Sequence, residues 1–345
     1  MPSDQLDLLE QRINESAILT LNKLNHSHAI TANMISLMLS KLLLIVTYEL
    51  SAMKIPTIAI MDGQTIGFGS GTAVCSKIRV VTESAIWMMP ETTMGHFTDS
   101  STSYFLSRLK NNYGKYLALC AARMTVEDIM VAGIATHYVP SSKIPSMIGC
   151  LTHLKSPSLK ELDATINLFT ERWPINSLSC TMDVSKDRMM QTIIKECFRY
   201  STVEEILAAL EKEGSAFSMK TRDDMLKASP TALKITLELL CQASNLSFID
   251  SIILERRLWN LDMLSHDFQE GYKAIMNKKS PKWYPQSLRE VDLEKNIKHD
   301  RFHAANALKP MYLRHIEHAT FQEDKHFDEL NAVSSEYEVI YKCSL

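Results

Sequence analysis

The sequence predicts an α/β core followed by a mostly helical region, and three observations carry that prediction. Between Lys54 and Phe105, several apolar runs of strand length flank one glycine-rich turn. Beyond Pro140 strand patterns nearly vanish and capped helical patterns take over. A chain of 345 residues with 46% hydrophobic and 22% charged residues can bury a large core and make two domains. The composition shift between Pro140 and Pro157 divides the chain into a core at 1–150, a helical region at 151–294 and a polar, His-rich tail at 295–345. The tail has the composition of a partly disordered segment.

Taken in order, Ser16–Asn22 (SAILTLN) alternates as a strand does. Thr31 is placed to cap a helix over 32–44, with Met34, Ile35, Met38, Leu39 and Leu42 on one face. LLLIVTYELSAMKIP then leads almost directly into a strand at 55–61, ended by Asp62-Gly63. Gly67-Phe68-Gly69-Ser70-Gly71 follows as a turn into a short helix of small residues. Strands are expected at 78–81 and 85–89, before Met89-Pro90-Glu91 opens a loop that reaches Asp99. Short helices follow at 103–109 and 113–122, then a Thr125-x-x-Asp128 capping box and a strand at 136–139. Later, Ser201-x-x-Glu204 caps a helix ending at Gly214, and Ser229-Pro230 supplies a cap and an N1 proline. Residues 248–276 read as one long helix or two broken ones.

Composition excludes several classes. A formal net charge of -3 gives no global basic field for DNA. The seven cysteines form no C-x-x-C pair, which argues against a zinc site or a disulfide framework. The longest apolar stretch is interrupted by Lys41 and Glu49, too short for a membrane span. The acidic opening, MPSDQLDLLEQ, is unlike a signal or transit peptide. The histidines of the tail, His299, His303, His315, His318 and His326, lack metal-ligand spacing and read as solvated.

The turn at Gly67, Phe68 and Gly69 is neither a P-loop nor a dinucleotide fingerprint. By spacing alone it is either a tight strand-to-helix turn or a place where backbone N–H groups meet developing negative charge. Glu91 and Asp99 are either an acid/base pair or two solvated loop carboxylates. His96 between them reads as an exposed loop histidine or a third polar group.

IAIMDGQTIGFGSG, RVVTESAIWMMPETTMGHFTD and AGIATHYV together resemble the crotonase (enoyl-CoA hydratase/isomerase) superfamily, and within it the 3-hydroxyisobutyryl-CoA hydrolase branch. LKSPS, TVEEILAALEKEGSAF, SPTALKITLELL, HDFQEGYKAI and SPKWYPQSLREV extend the resemblance to about Val291. It implies a spiral of β-β-α units followed by helices. It implies hydrolysis of a branched 3-hydroxyacyl-CoA thioester in valine catabolism, in mitochondria, with coenzyme A as part of the substrate and no metal or redox cofactor. By resemblance Glu91 matches the catalytic glutamate of the Met-Pro-Glu motif and Asp99 the catalytic aspartate. The N–H of Phe68 falls where the family has an oxyanion donor.

Three departures stand out. The family's insert before the strand at Ile55, with its glycine turn and first oxyanion donor, is replaced by LLLIVTYELSAMK. A spiral shortened at this side is expected to expose a sheet edge. Phe68 stands where the family has glycine, and Ser100 to Ser103 (SSTS) stand where it is glycine-rich. Two functions therefore remain open: an acyl-CoA thioester hydrolase of reduced activity, or a non-catalytic scaffold or ribosome-associated subunit in mitochondria. The second would bring a protein partner or self-association, with the basic segment 295–318 as a docking candidate.

Overall fold

The computed structural model describes residues 7–13, 16–22, 56–171, 184–262, 265–292 and 338–343. The expected helix at 32–44, the segment replacing the family insert, the tail histidines and the docking candidate at 295–318 lie outside the described residues.

Two sheets form the core. Strands β1 (Asp7–Ile13) and β2 (Ser16–Asn22) make an antiparallel hairpin. β3 (Thr57–Met61) leads through Gly63, at φ 111°, into β4 (Gln64–Ile66), a strand too short to be read from the sequence. After α1 (Phe68–Val74) the chain repeats the pattern with β5 (Ile78–Val81) and β6 (Ile86–Met88). Helices α2 (Thr102–Leu106) and α3 (Tyr113–Cys120) follow, then β7 (Met124–Thr125), α4 (Val126–Val131) and β8 (His137–Tyr138). β3, β5 and β8 are parallel neighbours in one sheet, while β4, β6 and β7 make the other. Each pass of the chain thus adds one strand to each sheet, which is the expected β-β-α spiral.

β3 is buried along its whole length, because helices and strands cover both of its faces. Ile58 and Ile60 pack with Ile78, Val80 and Val139 under α5 (Ile144–Leu151) and α6 (Leu159–Asn167). Ala59 and Met61 point the other way, toward Val81, Trp87, Met89 and Leu117. That second cluster also takes side chains from α7 (Val184–Cys197), α8 (Val203–Glu213), α9 (Ala216–Met225) and α10 (Pro230–Ala243). Both clusters therefore run across the expected division at 150 and 151.

Several helix ends follow from local chemistry. Thr125 and Asp128 form the expected capping box on α4. On α8 the cap is Thr202, whose Oγ1 accepts from the Glu205 N–H, and not Ser201, so the cap lies one residue later than the spacing implied. Ser229 caps α10 by accepting from the Ala232 N–H, with Pro230 at the first helical position. The 248–276 stretch is two helices, α11 (Phe248–Asp262) and α12 (His266–Met276), the latter capped by Ser265. No described helix is long and apolar enough to cross a membrane.

The structure departs from the sequence expectation in the tail. Residues 338–343 form β9 (Glu338–Cys343), which lies between β2 and β3 and runs parallel to both. The order of the large sheet is β1-β2-β9-β3-β5-β8. The edge expected where the spiral is shortened is thus paired. Parallel strands need no adjacency in sequence, only free N–H and C=O rows on each side. EVIYKC supplies the β-branched and aromatic residues a strand favours.

Candidate active site

The site is built from the β4–α1 turn, the 3-10 turn Glu91–Met94 and the loop that follows it. Gly67 turns the chain from strand to helix at φ 56°, a conformation that favours glycine. Its N–H donates to the Met88 carbonyl (2.9 Å), and the Ser70 hydroxyl donates to the carbonyls of Met88 (3.1 Å) and Thr65 (2.8 Å). These bonds fix α1 beside the end of β6, where Met89-Pro90-Glu91 begins. Phe68 is half-buried and opens α1, so its N–H is among those without a partner inside the helix. Gly69 has no comparable steric need, since a Cβ there would come no closer than 3.9 Å to Thr65.

Glu91 points back at this turn. A Cβ on residue 67 would lie 3.1 Å from Glu91 Oε1. Glu91 is only 6% exposed, and its Oε2 is buried with no hydrogen-bond partner. Burial, and after it the negative charge of Asp99, pushes the Glu91 carboxyl up to about 8. Glu91 is therefore mostly neutral at neutral pH. Gly67, Glu91 and Asp99 are thus brought into one neighbourhood, and neither carboxyl is the solvated loop group that spacing alone allowed.

The helical region holds the loop carrying Asp99. A Cβ on Gly95 would lie 2.1 Å from the Asp267 carbonyl, and one on Gly271 2.1 Å from the Met94 carbonyl, so α12 meets the turn backbone to backbone. Phe97 is fully buried among Ile235, Leu239, Leu254, Leu258 and Trp259, and the Thr98 N–H donates to Thr236 Oγ1 (3.2 Å). Asp99 Oδ1 accepts from the Ser100 hydroxyl at 2.8 Å, and its Oδ2 faces His96 Nε2 at 3.3 Å. Ser100 and Ser101 adopt φ of 62° and 64°, the left-handed region that favours glycine. Here Glu255 of α11 clamps the strained turn, accepting from the N–H groups of Ser101 (2.7 Å) and Ser103 (3.1 Å) and from the Ser103 hydroxyl. Burial pushes the Glu255 carboxyl up to about 8, although those three bonds favour its charged form.

His96 corrects the expectation of an exposed loop histidine. It is 8% exposed, with Nδ1 2.5 Å from Asp262 Oδ2 and its ring edge-on to Phe268. Burial lowers its imidazole, yet the bonds to Asp262 and Asp99 outweigh that and push it up to about 10. Glu255 and Asp262 were missed in the sequence. Their signal was spacing: two carboxylates seven residues apart on the α11 face that also carries Leu254, Leu258 and Trp259.

Two sheets built up by successive β-β-α passes, with a glycine turn opposite a buried Met-Pro-Glu glutamate, define a crotonase-type protein. A sequence profile described as Enoyl-CoA hydratase/isomerase matches residues 43–299, and the chain belongs to that family. It is similar to the mitochondrial 3-hydroxyisobutyryl-CoA hydrolase of Homo sapiens, at 37% identity over 257 residues, covering 74% of this chain and 65% of the relative. The Gallus gallus protein of the same name is 38% identical over 243 residues, covering 70% of this chain and 62% of that one. The chain thus spans less than two thirds of the length of these relatives. Among solved structures, a carnitinyl-CoA dehydratase from Mycobacterium thermoresistibile superposes with a TM-score of 0.68 at 25% identity, over 85% of this chain and 96% of that one. An enoyl-CoA hydratase from Rhodobacter sphaeroides 2.4.1 gives a TM-score of 0.69 at 22% identity, over 84% and 95%. These establish the crotonase fold.

Proposed function

We propose that the chain hydrolyses an acyl-CoA thioester, with the branched 3-hydroxyisobutyryl group as the favoured acyl chain. The observation that carries this is the buried Glu91 carboxyl facing the Gly67 turn with Asp99 close enough to act on its charge. The names of the curated relatives support the substrate class. The same names, each marked mitochondrial, support a place in valine breakdown within mitochondria. They give no support to a scaffold role.

In the overall reaction water adds to the thioester carbonyl, the C–S bond breaks, and the departing CoA sulfur takes up a proton. The Phe68 N–H is the proposed donor to the oxyanion, beside Gly67 and Gly69. Glu91 attacks the carbonyl or removes the proton of the attacking water, and either role needs its ionised form. Asp99 orients the water or handles the proton. The residues require no metal or redox cofactor for this chemistry. Because burial holds Glu91 neutral at neutral pH, kcat/KM should rise with pH toward about 8.

The test is release of CoA thiol from 3-hydroxyisobutyryl-CoA by the purified chain across pH. Glu91→Ala should abolish turnover. Phe68→Gly should raise it by removing the benzyl group beside the proposed oxyanion donor. Full activity in Glu91→Ala refutes the assignment of Glu91. An unchanged or lower rate in Phe68→Gly removes the ring as an obstacle.

A further inference from the structure

We propose that Asp262 and His96 are positioning residues that fix the direction of the Asp99 carboxylate and hold the imidazolium beside it. The inference deepens the hydrolytic reading above and rests on it for the role of Asp99. Its geometric basis is separate. His96 Nδ1 lies 2.5 Å from Asp262 Oδ2 and Nε2 lies 3.3 Å from Asp99 Oδ2, so each ring nitrogen faces a carboxylate oxygen. A neutral imidazole offers one donor and one acceptor, and only an imidazolium satisfies both carboxylates at once. Asp262, at 4% exposed, is itself removed from water and has the His96 ring as its counter-charge.

The carboxyls that act on this array come from three elements, and one of them, Asp267, also has His266 Nδ1 3.2 Å from its Oδ1. Glu91 lies on the 3-10 turn, Glu255 on the same helix as Asp262, and Asp267 at the start of α12. The His96 ring therefore stands among five carboxyl groups: Asp99, Asp262, Glu91, Glu255 and Asp267. Burial lifts the Asp262 carboxyl, with its bond to His96 acting in the opposite sense. The ring is held in place by apolar contact as well, its centroid 4.6 Å from Phe97, 5.3 Å from Phe268 and 6.5 Å from Trp259. Asp262 arrives from 166 residues along the chain, so the helical region reaches through His96 to the carboxylate opposite Glu91. With Ser100 holding Oδ1 and His96 holding Oδ2, both oxygens of Asp99 are directed.

The experiment has two readouts on the full chain. The first is the ring ¹⁵N resonance of His96, followed by NMR against pH in wild type and in Asp262→Asn. Wild-type His96 is expected to stay doubly protonated through neutral pH and to lose its proton near 10, whereas in Asp262→Asn the loss moves toward neutral pH. A neutral ring in the wild type at pH 7, or an unmoved titration in the variant, overturns the proposal. This readout stands whether or not the chain hydrolyses thioesters. The second is the pH profile of turnover. Asp262→Asn is expected to lower kcat about 10²-fold, with KM little changed, and to bring the alkaline loss of activity down with the His96 titration. Asp262→Glu is expected to restore much of the rate. An Asp262→Asn enzyme with a shifted His96 titration but an unmoved kcat profile would make the pair purely structural and overturn its positioning role. Should Asp262→Asn fail to fold, His96→Gln, which keeps a donor toward Asp99 but carries no charge, tests the same profile. Wild-type kinetics in that variant overturn the proposal.

Discussion

Replacing Glu91 by glutamine should remove a pH dependence from the stability of the fold. Burial, with help from the charge of Asp99, moves this carboxyl from 4.5 to about 8. A carboxyl raised in the folded state favours folding fully below its unfolded value, and that advantage is lost as pH rises through the folded value. The window therefore runs from 4.5 to about 8. At about 1.4 kcal/mol for each pH unit, the loss amounts to at most about 5 kcal/mol. Glu255, raised to about 8, and His96, raised to about 10, tilt stability the same way, so the wild-type curve alone assigns nothing to Glu91. The difference between wild type and Glu91→Gln does. Glutamine mimics the neutral acid in size and shape, and Glu91 Oε2 has no hydrogen-bond partner to lose. The assay is urea unfolding of both proteins from about pH 5 to about pH 9. The variant should gain on the wild type by about 1.4 kcal/mol per pH unit until about pH 8, then hold a constant lead. Parallel curves across that window would refute a neutral Glu91.

Three further outcomes are expected. Gly71→Ala should lower stability by about 1–3 kcal/mol, because the new Cβ would lie 2.4 Å from the Ser100 carbonyl beside Asp99. An unchanged Tm with full thioester hydrolysis would contradict that packing. Ala121→Gly should raise stability by about 1 kcal/mol, since Ala121 closes α3 in the left-handed region at φ 47°; a lower urea midpoint would refute it. Ile340→Pro should cost about 3 kcal/mol or more and promote aggregation, because residue 340 pairs with Ile18 on one side and Ile58 on the other. Light scattering and an urea midpoint equal to wild type would show that β9 does not hold that slot.

Much of the fold was legible where one local rule acted alone. The apolar run at β3 and the Ser229-Pro230 signal of α10 fell where expected, because burial on both faces and cap chemistry are written in adjacent residues. The α8 cap slipped by one residue because Ser201 and Thr202 each have a glutamate three positions on, and only the helix phase decides between them. β4 escaped because three residues carry no period. The site was half legible. Glu91 and Asp99 follow from one loop and a resembled motif, whereas Asp262 and Glu255 reach them from α11. Contacts across more than 150 residues leave only an indirect trace, here acids on an apolar helix face.

The place of β9 also sets an order of events during synthesis. β2 and β3 are separated in the sheet by a strand that leaves the ribosome about 280 residues after β3. At typical elongation speeds that interval lasts roughly 15 to 55 seconds. Throughout it, one side of β2 and one side of β3 present unpaired backbone to the cell. The chain cannot close its main sheet vectorially, so its yield should depend on chaperones that shield this gap until translation reaches Glu338.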